Sequence, residues 1–529
     1  MPVVRFARSF EPIFLAVLFA IAYTQSPLFY SNQNQYLLHG LAAGGHGHLA
    51  NDWLAGTRDP TPVFSALVEA GYRHLGLWSI QAAYFLILVG YFLSVGWLVG
   101  SLPGSPDTRA FRMAFAALVT ASHAAVLRVA SVELTGVDYP WYLQCGVANQ
   151  YILGPGLQPS AFGTLLVAAL AALANGRTLL AGVLAGLTCA FHFTYLLPTA
   201  ILTVGMVWAL VQKGGVGGTA AFKMLLAICA FAVPAAAYAL FTFGSPNPHT
   251  FAEAQRILAE VRLPHHAEID RWFAVPDALQ IAWVAIGLVL LRHSPLRIVL
   301  FISAGAGLLL TLLQYQIGGH TFALMFPWRI SAVLVPVATA LILANLAARL
   351  PNTRPVTIVS AVVISGLAAS GLWIMAAGIG YGTDKSEKAL FEYVLQNATA
   401  NDVYLLPVNI PAVGTGRGTA STTFTCPPRP IPGANLIPVD LQRFRLVTGA
   451  PIYVDFKSVP YLDREVIEWH IRMRRCELWY ANDWSELGRA QELRDAKITH
   501  VVTPTSKPID VDWLQKLHFD EAYILYRIR

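Results

Sequence analysis

Charge is what this sequence has least of. Asp, Glu, Lys and Arg together make up 12% of its 529 residues, while hydrophobic residues make up 55%. That balance excludes an ordinary soluble domain, a disordered chain and a fibrous one, and leaves a membrane protein. Cysteine is also scarce. Five thiols do not build a disulfide scaffold, and no CxxC pair is present; Cys189 and Cys229 fall inside apolar runs, where they pack as small hydrophobes. Cys426 and Cys476 can pair if their region is exported, although spacing alone does not show it. The chain likewise has no GxSxG elbow and no HExxH pair, and "GYGTDKS" carries Asp384 where a phosphate loop requires glycine. The formal charge of +6 forms no basic stripe interleaved with aromatics, so nucleic acid is not an expected partner.

Long apolar runs, by contrast, are plentiful. A span needs about 20 mostly apolar residues. Candidate spans fall at 12–29, 77–100, 110–131, 159–175, 178–192, 195–212, 221–243, 277–292, 296–316, 326–348 and 356–379. Around "FHFTYLLP", Pro198 with the polar His192 and Thr194 argues for a break between two short helices. Arg5 and Arg8 before "PIFLAVLFAIAY" resemble a signal peptide, but no small-residue cleavage site stands out, and a retained first span is expected.

Charge then orients the spans. With the N-terminus in the cytoplasm, the short inner loops carry Arg109 and Arg112, Arg177, Lys213 and Lys223, Arg292 and Arg297, and Arg349 and Arg354. Short loops rich in Lys and Arg face inward. The opposite connections, near 132–158, 192–195 and 317–325, have neither residue, and the longer outer loops 30–76 and 244–276 hold a few arginines.

An odd number of spans exports the C-terminus. The chain therefore divides into a transmembrane part, 1–383, and an exported domain, 384–529, where charge rises and strand and helix patterns alternate. "DVYLLPV", "PIYVDF", "ITHVVTP" and "AYILYRI" read as strands, and "DREVIEWHIRMRRCELWY" as an amphipathic helix, together a small α/β domain. Residues 408–439, rich in Gly, Pro, Ser and Thr, form a long loop, and no internal repeat is visible. The expected fold is a polytopic α-helical membrane protein of about eleven spans with this small C-terminal α/β domain.

The unusual polar residues all fall on the outer side. Asp52 in "LANDWL", flanked by Leu49, Trp53 and Leu54, reads as a partly desolvated carboxylate fit to act as a general base; a solvated loop acid or helix cap is the plainer alternative. Asp59 in "TRDPTP" reads as a turn residue. His265 and His266 in "RLPHHAEIDRWF", with Arg262, suit an anionic group such as phosphate. Arg329 in "FPWRIS", with His320 upstream and Arg58 in the first outer loop, adds candidate anion-binding groups. Arg128 and Glu133 fit a structural ion pair, and His46, His48 and Asp52 leave a divalent cation open without a firm metal site. "NAT" at Asn397 is a formal glycosylation acceptor, meaningful only in a eukaryotic secretory pathway.

"NQNQYLLHGL" with "NDWLAGTRDPTPVFSAL", then "GVANQYILGPGLQPSAFG", "FHFTYLLP", "RLPHHAEIDRWF", "FPWRIS" and "FRLVTGAPIYVDFKSVPY", resemble a family of bacterial polytopic membrane proteins with GT-C-like architecture. That resemblance implies a glycosyltransferase of the inner membrane with a periplasmic C-terminal domain. It would move a sugar from a polyprenyl-phosphate-linked donor, within membrane lipid, to a hydroxyl on a glycan, lipid or protein acceptor. By the same resemblance Asp52 is the base, and His265, His266 and Arg329 hold the lipid phosphate. The sequence departs from better-known GT-C families in having "ND" rather than paired acids after the first span, and it has no "WWDYG"-type motif. A transporter, with binding groups near the bilayer midplane, and a non-catalytic envelope-assembly scaffold are the alternatives.

Overall fold

A computed structural model describes residues 10–212, 214–291, 294–379, 385–408 and 441–529. Arg5, Arg8, Lys213, Arg292, Asp384 and Cys426 lie outside the described residues.

Helices account for all eleven apolar segments. Among the described residues, six helices are long and apolar enough to cross a membrane: Trp78–Gly100, Phe193–Val211, Gly217–Phe243, Leu296–Ile317, His320–Ala348 and Arg354–Ala377. Arg109–His123 and Ala125–Thr135, bent by 49°, pass the same test together and make a seventh if the pair is one broken span and not a re-entrant loop. The bend falls at Ala124, whose extended backbone (φ −63°, ψ 130°) ends one helix and begins the next. Glu11–Tyr23, Pro159–Ala174, Thr178–Phe191 and Val275–Leu290 are shorter apolar helices. The chain is a multi-pass membrane protein. The expected break at "FHFTYLLP" is present: His192 turns extended (φ −153°, ψ 107°), and a 3-10 turn, Phe193–Tyr195, leads into Leu196–Val211.

Among the described residues, the C-terminal region forms one four-stranded sheet in the order β1-β2-β4-β3, from β1 (Tyr404–Leu405), β2 (His500–Pro504), β3 (Leu514–Phe519) and β4 (Tyr523–Ile528). β1 runs parallel to β2, and the other pairs are antiparallel. Successive strand residues point to opposite faces, and both faces are covered. Val501, Ile524 and Tyr526 pack under helix Asp463–Ala481 with its stripe Val466, Trp469, Met473, Cys476 and Trp479. Val502, Tyr523 and Leu525 pack with Leu390, Phe391, Val394 and Phe444 on the other side.

Two expectations for this region need correction. "PIYVDF" is no ladder strand: it makes one isolated parallel bridge, Tyr404 to Ile452, while the Ile452 amide donates to Asp52 and the Asp455 carbonyl accepts from the Trp469 indole. "LQKLHF" is the unanticipated edge strand β3. Cys476 is a free, buried thiol whose Sγ donates to the Leu406 carbonyl.

This region is anchored to the loop 30–76. Gln35 donates to the Val459 carbonyl (2.8 Å) and accepts from the Val459 amide (2.6 Å), as a neighbouring strand would. Ser458 donates to the Asn34 carbonyl, and the His48 amide donates to that of Gly449 at 2.7 Å. At the last contact Gly47 (φ +55°) meets Gly449 (φ +67°), and a Cβ on Gly47 would lie 2.6 Å from the Gly449 Cα. Both positions need glycine, for the left-handed backbone and for the close approach.

Candidate functional site

Five separate stretches of the transmembrane part and one of the C-terminal domain meet around a cavity of about 120 Å³. They bring Tyr36, Gln150, Ser160, His192, Arg262, His265, His266, Arg329, Lys457 and Tyr461 to its wall. Arg262, Arg329 and Lys457 give it three basic side chains, and no Asp or Glu stands among its described lining residues. An anion is the ligand such a wall accepts.

Unusual backbone shapes this wall. Ala148 and Asn149 (φ 56° and 54°) and Phe326 (φ 48°) are non-glycine residues in the left-handed region. Each such conformation is costly unless the surroundings impose it, and strain of this kind gathers at functional sites. Here the surroundings are explicit. Ala148 donates from its amide to Asp277 Oδ1 (2.9 Å), Val147 to Ser331 Oγ (3.0 Å), and the Trp141 indole to Asn149 Oδ1 (3.0 Å). Phe326 then precedes the 3-10 turn Pro327–Ile330 that carries Arg329 inward.

The result is a fixed set of side chains. The Ala148 carbonyl accepts a 2.8 Å bond from His266 Nδ1. A carbonyl only accepts, so Nδ1 carries the proton, and in the neutral ring Nε2 keeps its lone pair. Burial holds His266 neutral, its pKa lowered to about 3, and burial with the adjacent His266 pushes His265 well below the usual range. Burial pushes the Tyr461 phenol well above its usual range. Arg329 donates through Nη1 to Gln150 Oε1 (2.9 Å) and lies 5.0 Å from the Tyr195 ring centre. Arg262 donates to the Lys457 carbonyl and stacks 5.4 Å from the Phe456 ring centre.

Several buried polar atoms around this cavity lack a protein partner: Gln158 Nε2, Ser160 Oγ, His192 Nδ1, Thr194 Oγ1, Arg262 Nε and Arg329 Nε. An unsatisfied buried group costs about 1–3 kcal/mol. A cluster of them around one hollow leaves donors and acceptors for ordered water or a polar ligand.

Behind the same wall runs a second, apolar hollow of about 640 Å³ between helices Val275–Leu290, Leu296–Ile317 and Ser331–Ala348. Val284, Ala304, Leu308 and Leu312 line it, and the outward Phe301 and Leu308 leave its side open. One turn separates the two spaces: Phe326 and Arg329 face the polar cavity, while Trp328 and Ile330 face the groove.

Asp52 is elsewhere. Its Oδ2 accepts from the Ile452 amide (3.0 Å) and lies 3.1 Å from Arg445 Nε, and its Oδ1 accepts from the Leu54 amide (2.9 Å). With both oxygens engaged and 2% of the residue exposed, it ties the outer loop to the C-terminal domain and does not line the cavity.

His265, His266 and Arg329 are thus brought together, and Asp52, Arg58 and His320 are not. Arg58 is exposed and uses its amide toward Glu465. His320 is half-exposed, 3.4 Å from Glu260. His46 and His48 bond Tyr72, Leu446 and Ala398, and no group of three His, Cys, Asp or Glu fit for a metal occurs among the described residues. Arg128 makes its buried ion pair with Asp138 (2.7 Å), not with Glu133. Asp59 is the turn residue expected, capping the Thr61 amide at 2.8 Å.

Lys457, Tyr461, Tyr36, Gln150 and His192 were not singled out as site residues from the sequence. Their one legible signal was position: each lies in or beside a polar stretch that follows or interrupts the apolar segments.

A family profile described as a domain of unknown function (DUF6798) matches residues 434–476. That segment includes Arg445, Lys457 and Tyr461. No curated protein matches the chain. Among solved structures, the chain is similar to the crystal structure of ArnT from Cupriavidus metallidurans bound to undecaprenyl phosphate. The identity is 12%, the match covers 98% of this chain and 96% of that one, and the TM-score is 0.39.

Proposed function

We propose that this protein is a membrane-embedded transferase of GT-C type that takes a sugar from a polyprenyl-phosphate-linked donor and passes it to a hydroxyl acceptor at the outer membrane boundary. One observation carries the reading. A cationic cavity without described carboxylates shares a single turn, Phe326–Ile330, with an apolar groove opening sideways. A phosphate on a long isoprenoid has this two-part shape, with a charged head and a greasy tail.

Arg262, Arg329 and Lys457 would hold the phosphate, and their charge would stabilise it as a leaving group. In the transfer, the acceptor oxygen bonds to the anomeric carbon as the bond from that carbon to the phosphate oxygen breaks. The phosphate leaves with the electron pair, and the acceptor proton passes to a base. His266 Nε2 is the base the geometry offers, because its lone pair is kept by the Nδ1 bond to Ala148. An anion bound beside it raises its basicity above that of the empty cavity. Asp52 is given the task of a strut.

The test is lipid binding by native mass spectrometry of the full chain in detergent, with undecaprenyl phosphate and with undecaprenol. Binding of the phosphate at least about tenfold tighter than the alcohol, lost in Arg329→Gln, supports the reading. Equal binding of the two lipids would remove it.

A further inference from the structure

A second polar hollow lies in the seam between the first outer loop and the C-terminal domain, with a volume of about 390 Å³. That volume lies within the range of small-molecule sites, about 300–1,000 Å³. The cavity and this cleft are joined through one stretch of chain. Pro451, Ile452 and Tyr453 wall the cleft, and Lys457, Val459 and Tyr461 wall the cavity.

The cleft is built around cations. Arg472 sits between two aromatic rings, its guanidinium carbon 4.2 Å from the Trp53 ring centre and 5.0 Å from that of Tyr453. Glu468 accepts from Arg472 Nε at 2.7 Å, which fixes the plane of the guanidinium. Arg475 and Lys497 complete the wall, with Asp495 as its other acid.

Lys497 occupies an unusual backbone position. Its amide donates to Arg494 and that of Ile498 to Leu493, the paired bonds that end a helix in a left-handed residue. Lys497 has φ +60°, where glycine is the default. A lysine at this position bears a backbone cost that glycine would not, and it is one of the three basic residues that line the cleft.

We propose that this cleft binds an acidic saccharide, which serves as the acceptor. The cations select the acid, and Asn51, whose Nδ2 donates to the Ala400 carbonyl while its Oδ1 remains an acceptor, is an uncharged polar side chain the wall offers to a hydroxyl group. None of the cleft's residues line the apolar groove, which argues against a lipid tail here. The acceptor role rests on the transferase reading. Saccharide binding does not.

The experiment is calorimetric titration of the full chain in detergent with tetragalacturonate, its methyl ester and tetraglutamate. Saturable binding of tetragalacturonate, with the ester and the peptide each at least about tenfold weaker, is expected. Lys497→Gly and Arg475→Gln should each weaken binding by about tenfold or more. Lys497→Gly should do so while raising the melting temperature, because it relieves the left-handed backbone. A purely structural lysine would show the opposite pairing: lower stability with unchanged affinity. Arg329→Gln should keep saccharide binding while losing undecaprenyl phosphate, so failure of the lipid site and failure of this one read out separately. Absence of saturable binding, equal binding of acid and ester, equal binding of the peptide, or wild-type affinity in both cleft variants overturns the proposal.

Discussion

Arg445 reaches across nearly the whole sequence to Asp52. Its Nε lies 3.1 Å from Asp52 Oδ2, while its Nη2 lies 2.9 Å from Asp455 Oδ2, with all three side chains buried. One cation therefore holds a carboxylate of the outer loop and a carboxylate of the C-terminal domain. The consequence is a stability prediction. Asp52→Asn leaves Arg445 paired with Asp455, so no charge is stranded; the loss is one ionic contact and one acceptor for the buried Ile452 and Leu54 amides, about 1–3 kcal/mol. Asp52→Asn should lower the melting temperature and loosen the C-terminal domain, as seen by limited proteolysis. Unchanged melting and proteolysis with loss of sugar transfer would restore Asp52 as a base.

The two glycines beside that pair admit no side chain. Gly47→Ala and Gly449→Ala each place a methyl against the opposite backbone in a left-handed residue. Each variant should lose about 1–3 kcal/mol or more, and cleavage between the transmembrane part and the C-terminal domain should speed up. Gly45→Ala is the control: it is also left-handed (φ +85°) but has open space around its Cβ. It should bear only the backbone part of the cost, and equal losses in all three variants would refute the contact.

What the sequence revealed, and what it hid, follows from the range of the interactions. A span is a local property of about 20 residues, so eleven apolar segments were legible, including the break at His192. The helix over 463–480 was equally local, with Val466, Trp469, Met473 and Cys476 at helical spacing. β3 was missed because Lys516 and His518 interrupt its alternation at a sheet edge. "PIYVDF" misled because its β-branched residues fit a strand, while the Ile452 amide goes to Asp52. Asp52 looked like a reactive acid because its partner Arg445 is remote in sequence, and no spacing rule reaches that far. His265, His266 and Arg329 were found because each sits in a conspicuous polar motif. Lys457 and Tyr461 join the cavity wall because the Gln35–Val459 bonds hold their segment against residues 34–35.

Histidine burial sets a pH response. His266 has a folded pKa lowered to about 3 from 6.5, so the unfolded chain takes up its proton first as pH falls. Its contribution to stability is complete above pH 6.5 and is lost progressively toward about 3. His265 shifts in the same direction. Wild type should lose melting temperature on acidification from neutral pH more steeply than His266→Gln. Bound undecaprenyl phosphate should flatten the wild-type curve, since an anion favours the protonated ring. Parallel curves for the two proteins would show that His266 is not buried neutral.

Arg329 is expected to resist conservative exchange. It bonds Gln150 and stacks on Tyr195 at the same time, which a planar guanidinium can do and a lysine ammonium cannot. Arg329→Lys keeps the charge, yet should weaken undecaprenyl phosphate binding by about tenfold or more. Wild-type affinity in Arg329→Lys would reduce the residue's role to charge alone.

The groove and the cavity should separate under substitution. Ala304 lines the apolar groove and is absent from the cavity wall, so Ala304→Phe fills space that a lipid tail would occupy without touching Arg262, Arg329 or Lys457. A longer isoprenoid gains affinity by burying more apolar surface, about 0.8 kcal/mol per methylene-sized group. The variant should therefore erase the preference for undecaprenyl phosphate over a short isoprenyl phosphate, while the affinity for the short lipid stays at its wild-type value. Native mass spectrometry with the two lipids reads both quantities at once. Unchanged chain-length preference would place the tail outside this groove, and loss of the short lipid as well would mean that the shared turn Phe326–Ile330 had shifted with it.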